Sequence, residues 1–110
     1  MGKNRDRVSI VAAILEAANS GAAKTHIMFG ARLSFSLLEK YLKVVVDAGF
    51  VRFEGSRYEL TERGRMFLNQ YRFFIERYVR AQKVLEVLDC EREKLALMCE
   101  DSGSPVSHVT

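Results

Sequence analysis

Phe50-Val51-Arg52-Phe53-Glu54-Gly55-Ser56-Arg57-Tyr58-Glu59-Leu60 is the stretch that decides the fold. Phe50 to Glu54 reads as a short strand and Gly55-Ser56 as a tight turn. Arg57 to Leu60 returns with its apolar residues at alternate positions. A two-stranded hairpin of this size does not stand alone and must pack on other elements. What lies on either side of it therefore fixes the architecture.

Upstream lie three helical segments. Residues 8–20 carry Val8, Val11, Ile14, Leu15 and Ala18 as an apolar stripe and end at Asn19-Ser20-Gly21. Residues 24–29 fit a short second helix that turns Ile27 and Met28 inward and stops at Gly30. Ser34 is placed to cap a third helix over 35–48. Leu38, Tyr41, Leu42 and Val45 form its core face, and Gly49 closes it. Val44-Val45-Val46 favours strand locally, but the surrounding period and length favour helix. Gly30-Ala31-Arg32-Leu33 has the length of a helix-turn-helix connection. A hairpin directly after the third helix makes the whole a winged helix-turn-helix with a two-stranded wing, mainly α in class.

Downstream, Thr61 caps a last helix that begins near Glu62. Gly64 in its first turn costs about 1 kcal/mol against Ala and implies a close approach to the hairpin. From Tyr71 to Cys99 there is no Gly or Pro. Tyr71, Phe74, Tyr78, Ala81, Leu85, Leu88, Arg92, Leu95 and Cys99 recur at spacings of three and four, a coiled-coil repeat interrupted only by Arg92. Charge along this helix is polarised. Residues 65–83 hold five basic residues against Glu76, and residues 86–101 hold six acidic residues against Arg92 and Lys94. In a parallel pair, like halves would repel. In an antiparallel pair, the basic half of one helix faces the acidic half of the other. The expectation is a homodimer through an antiparallel coiled coil, with Tyr71, Phe74, Tyr78, Ala81, Leu85, Leu88 and Leu95 at the seam. From Tyr71 to Cys99 the seam spans about 42 Å at 1.5 Å per residue. The domain plan is a flexible basic arm over 1–7, a winged helix-turn-helix over 8–64, a dimerisation helix over 65–99 and a disordered tail over 100–110.

The chain has 110 residues, a net charge of +3 and 48% apolar residues, enough for one small folded domain with an extension. All the excess positive charge falls in residues 1–64, which hold ten Lys/Arg against seven Asp/Glu. That balance weakly favours an anionic partner. Cys90 and Cys99 sit nine residues apart on one helix, about 13 Å of rise, so they neither bridge each other nor define a metal site. The polar start MGKNRDR has no apolar signal core, and no run approaches the length of a membrane span. A cytoplasmic protein is expected. No paired carboxylates, nucleophile–base set or glycine-rich phosphate loop has a supporting context. The expectation is therefore no enzyme activity and no cofactor or metal. His26 has only His108 as a possible imidazole partner.

Lys24 to Phe35, followed by Tyr41-Leu42, Gly49-Phe50-Val51, Tyr58-Glu59-Leu60-Thr61 and Gly64, resembles the archaeal winged-helix DNA-binding proteins of the small Sulfolobus chromatin-protein type. The resemblance covers roughly residues 8–98. It implies a winged head followed by a long helix that pairs antiparallel with a second copy, and binding to double-stranded DNA. It makes helix three the recognition helix and Glu54 to Arg57 the wing tip. It also implies a nucleoid-associated location.

Ser36, Lys40, Lys43 and Asp47 lie opposite the core face of helix three, the side that a helix-turn-helix turns to the groove. Lys40 and Lys43 suit phosphates or guanine edges, and Ser36 can donate to either. Glu39 suits a cytosine amine or an orienting contact with Lys43. Lys24 and Thr25 at the start of helix two, Arg32 and Ser34 around the turn, and Arg57 on the wing complete the candidate DNA contacts. Lys3, Arg5 and Arg7 suit backbone contacts. Helix three balances Lys40 and Lys43 against Glu39 and Asp47. This leaves an architectural protein and a site-directed transcription regulator as alternatives. A protein-interaction module built on the same winged helix, without DNA binding, is a further one.

Overall fold

In the computed structural model, which describes residues 5–101, the elements follow the expected order. They are α1 (Arg7–Ala17), α2 (Lys24–Ala31), α3 (Phe35–Asp47), β1 (Val51–Glu54), β2 (Arg57–Leu60) and α4 (Glu62–Asp101). Lys3 of the expected basic arm and residues 102–110 of the expected tail lie outside the described residues. The chain divides into two compact units, Met1–Phe73 and Phe74–Thr110.

The first unit is the winged head. Asp6 begins α1 by accepting a hydrogen bond from the Ser9 amide at 2.8 Å. Arg7 is thus helical rather than part of an arm, and the Arg5 guanidinium donates to the Arg32 carbonyl at 3.2 Å. The stripe on α1 differs from expectation at three positions. Val8 is exposed, whereas Ile10 and Ala12 join Val11, Ile14, Leu15 and Ala18 in the core. A helix packed on both α2 and α3 buries more than one narrow stripe.

Gly30 does not stop α2. The helix runs on to Ala31, and Arg32 takes the left-handed conformation at φ 57°. Gly30 instead permits close packing on α1, since a Cβ there would lie 3.0 Å from the Ala17 Cβ. Ser34 caps α3 by accepting from the Leu37 amide at 3.3 Å. Leu38, Tyr41, Leu42 and Val45 are all buried.

The hairpin is antiparallel, with Val51 opposite Leu60 and Glu54 opposite Arg57. Sequence periodicity gave no sign of a third piece of sheet. Ala22 pairs with Tyr58, each amide donating to the other's carbonyl, at 3.0 and 2.8 Å. This bridge ties the wing to the loop between α1 and α2.

Thr61 joins three elements. Its hydroxyl accepts from the Gly64 amide at 3.1 Å and donates to the Gly49 carbonyl. Its own amide donates to the Phe50 carbonyl at 2.9 Å. Gly64 lies so close that a Cβ would fall 2.1 Å from the Phe50 oxygen. The start of α4 belongs to the head as well. Leu68 is fully buried, Phe67 stacks on Phe50 with centroids 4.8 Å apart, and Tyr71 packs against the core. Arg72 forms two hydrogen bonds to the Glu16 carboxylate, at 2.9 and 3.0 Å.

The described part of the second unit is the remainder of α4. Leu85, Leu88 and Leu95 are each at least half exposed. The Phe74 and Tyr78 rings lie 5.6 Å apart, and Arg80 pairs with Glu76 at 3.3 Å. Cys90 and Cys99 are both exposed. Because Tyr71 and Arg72 serve the head, the exposed apolar repeat begins at Phe74. Residues 74–83 then carry three basic residues against Glu76, a smaller excess than residues 65–83 suggested.

Candidate nucleic-acid interface

The outward side of α3 is built by the alternation that buries its other side. With Leu38, Tyr41, Leu42 and Val45 fixed inward, Ser36, Lys40, Lys43 and Asp47 are left exposed. Lys40 extends over the Tyr41 ring at 5.4 Å, which covers its aliphatic stem while the ammonium stays in water. It has no carboxylate within 4.0 Å among the described residues. Lys43 lies 4.0 Å from Asp47 one turn on, and both side chains are mostly exposed. A pair this open is weak and easily exchanged for another anion.

Lys24 sits at the first position of α2 and is ion-paired with Glu39 of α3. The same ammonium lies 5.1 Å from the centroid of the Phe35 ring. Glu39 therefore faces Lys24, fifteen residues earlier, rather than Lys43. Thr25 is exposed in the first turn of α2, whose N-cap Ala23 offers no side-chain cap. Arg32 is exposed in the three-residue turn before α3, and Ser34 is engaged in its cap.

On the wing, Arg57 donates to the Gly21 carbonyl at 2.7 Å. Its guanidinium thus helps hold β2 to the α1–α2 loop. Arg52 lies between Glu54 at 3.7 Å and Glu59 at 4.0 Å. A groove between α3 and the wing is lined by Lys24, Glu39, Lys43, Asp47, Phe53 and Tyr58. Phe53 stacks on Tyr58 with centroids 4.6 Å apart and is still about half exposed.

The structure thus brings Lys24, Ser36, Lys40 and Lys43 to neighbouring elements around α3 and leaves Arg57 on the wing as a bridging residue. Sequence reasoning passed over Phe35. Its seven-residue spacing from Leu42 suggests the core face, yet the ring is 61% exposed.

Two packed helices, an outward third and a hairpin on the edge are the parts of one motif, and residues 4–78 match the winged helix-turn-helix family. The chain belongs to that family. The winged helix-turn-helix seen here is also similar to the crystal structure of Sso10a-2, a DNA-binding protein from Sulfolobus solfataricus. The two share 26% identity over 86% of this chain and 96% of that one, with a TM-score of 0.59. That share of the chain is larger than the family match, so the likeness reaches into α4 beyond residue 78. Among curated proteins, none matches. The winged helix-turn-helix and its relative are not those of an enzyme. Among the described residues there is no group of three His, Cys, Asp or Glu that could hold a metal, and no helix long and apolar enough to cross a membrane.

Proposed function

We propose that the chain is a dimeric double-stranded DNA-binding protein, associated with the nucleoid in an architectural or regulatory role. The observation that carries this reading is the exposed outer face of α3, where Ser36, Lys40 and Lys43 stand beside a two-stranded wing. Support comes from the likeness to Sso10a-2, itself described as DNA-binding. In this reading α3 enters the major groove and its two lysines meet phosphates or guanine edges. Lys24, Thr25, Arg32 and Ser34 flank that contact, and Arg57 approaches the backbone from the wing. Dimerisation proceeds through Phe74, Tyr78, Ala81, Leu85, Leu88 and Leu95, antiparallel, with Tyr71 at the margin. The exposure of Leu85, Leu88 and Leu95 supports this, because a helix surface of that kind gains by burial against a second one.

A titration against random and genomic duplexes at several salt concentrations tests the function. Affinity should fall steeply with salt, by about 0.9 in the logarithmic slope for each phosphate neutralised. Absence of binding at low salt would defeat the reading. A protein-binding role is the second reading, and the Lys24–Glu39 and Lys43–Asp47 pairs favour it by neutralising part of this face. That reading predicts no duplex binding at any salt concentration.

A further inference from the structure

We propose that Phe35 reads thymine through the 5-methyl group of the base, making this head prefer T-bearing steps in duplex DNA. The proposal rests on the DNA-binding reading above and assigns it a specificity residue. Phe35 is the first residue of α3, directly after the Ser34 cap, and 61% of it is exposed. It is the most exposed large apolar residue of α3, ahead of Leu37 and Val46 at 39% each, whereas Leu38, Tyr41, Leu42 and Val45 are buried.

A cation stands beside the Phe35 ring. Lys24 of α2 stands 5.1 Å from its centroid, and the same ammonium is paired with Glu39, one turn further along α3. A lysine from α2 and its glutamate partner from α3 thus stand on the same side of the molecule as one aromatic ring. The pair beside it carries no net charge, and the exposed ring adds an apolar surface to this corner. In the major groove the exposed hydrocarbon is the methyl group of thymine, and phenylalanine is among the side chains that contact it. The N-terminal residues of a recognition helix are the ones that reach base edges. Phe35 occupies that end. Lys40 and Lys43 lie farther along the helix, where they meet phosphates or guanine edges.

The test uses two duplexes of identical sequence, one with thymine and one with deoxyuridine throughout, which keeps the pairing and removes only the methyl groups. The full chain should bind the uracil duplex about fourfold more weakly for each methyl contacted. Phe35→Ala should lose the same factor on the thymine duplex and bind both duplexes alike, with its salt dependence and melting temperature unchanged. Phe35→Leu should keep part of the discrimination. Equal binding of both duplexes by the unaltered chain would overturn the proposal. So would continued discrimination by Phe35→Ala, or an equal loss on both duplexes, which would mark Phe35 as a wedge between bases. Failure to bind either duplex at low salt would instead remove the DNA-binding reading, and this proposal with it.

Discussion

At Gly64 the absence of a side chain is a packing requirement. A Cβ would lie 2.1 Å from the Phe50 carbonyl oxygen, which also accepts the Thr61 amide. Gly64→Ala should gain helix propensity yet lose about 2 kcal/mol or more overall through forced backbone displacement, read as a lower urea midpoint. The sequence indicated the close approach, because a glycine in the first turn of a helix is otherwise unfavourable. Tyr71 is a different case, where spacing pointed to the coiled coil and packing placed the ring on the head. Burial raises its phenol above the ordinary value, Asp6 adds to the rise and Arg5 opposes it. The folded state therefore holds this proton more tightly than the unfolded one. The resulting stabilisation is present below about pH 10 and is lost as pH rises through the raised value. Tyr71→Phe should flatten the alkaline part of a stability-against-pH profile measured by urea unfolding.

Among the elements, α3 and the wing were legible because their signals are local. Ser34 caps, Gly49 and Gly55 take positive φ at the ends of their elements, and the apolar period changes between them. The end of α2 was not legible, since Gly30 stays helical and Arg32, a residue seldom found there, takes the left-handed turn. Nor was the Ala22–Tyr58 bridge, because one isolated pair has no period to detect. The candidate site divides in the same way. Exposure of Lys40 and Lys43 follows from helix period, whereas the Lys24–Glu39 pair joins two helices and has no trace in spacing. Replacing Lys40 and Lys43 together with Ala should weaken duplex binding and reduce the logarithmic salt slope by up to about 1.8 if both meet phosphate, while leaving the fold intact by circular dichroism. Arg57→Ala separates two roles. Loss of its hydrogen bond to Gly21 should lower stability by about 1 kcal/mol or less, and a contribution to DNA binding should appear as a further loss of affinity in the fully folded variant.

For the whole molecule, the apolar repeat stays exposed from Phe74 onward, whereas Tyr71, counted with it from spacing, packs against the core of the head. Association should depend on the middle of the repeat, so Leu85→Asp with Leu88→Asp should convert a dimer to a monomer in sedimentation without unfolding the head. In a Cys90→Ser, Cys99→Ser background, Phe74→Cys with Leu95→Cys should cross-link between chains as 74 to 95 if the helices run antiparallel, and as 74 to 74 if they run parallel. The joint at Thr61 bears on how such a chain can be divided. The residue spans the end of α3, the hairpin and the start of α4, and Leu68 and Arg72 follow it into the head. A fragment ended at residue 64, where the winged motif stops on paper, would expose the underside of its own core and unfold or aggregate. One ended after Phe73 should melt as a single cooperative unit.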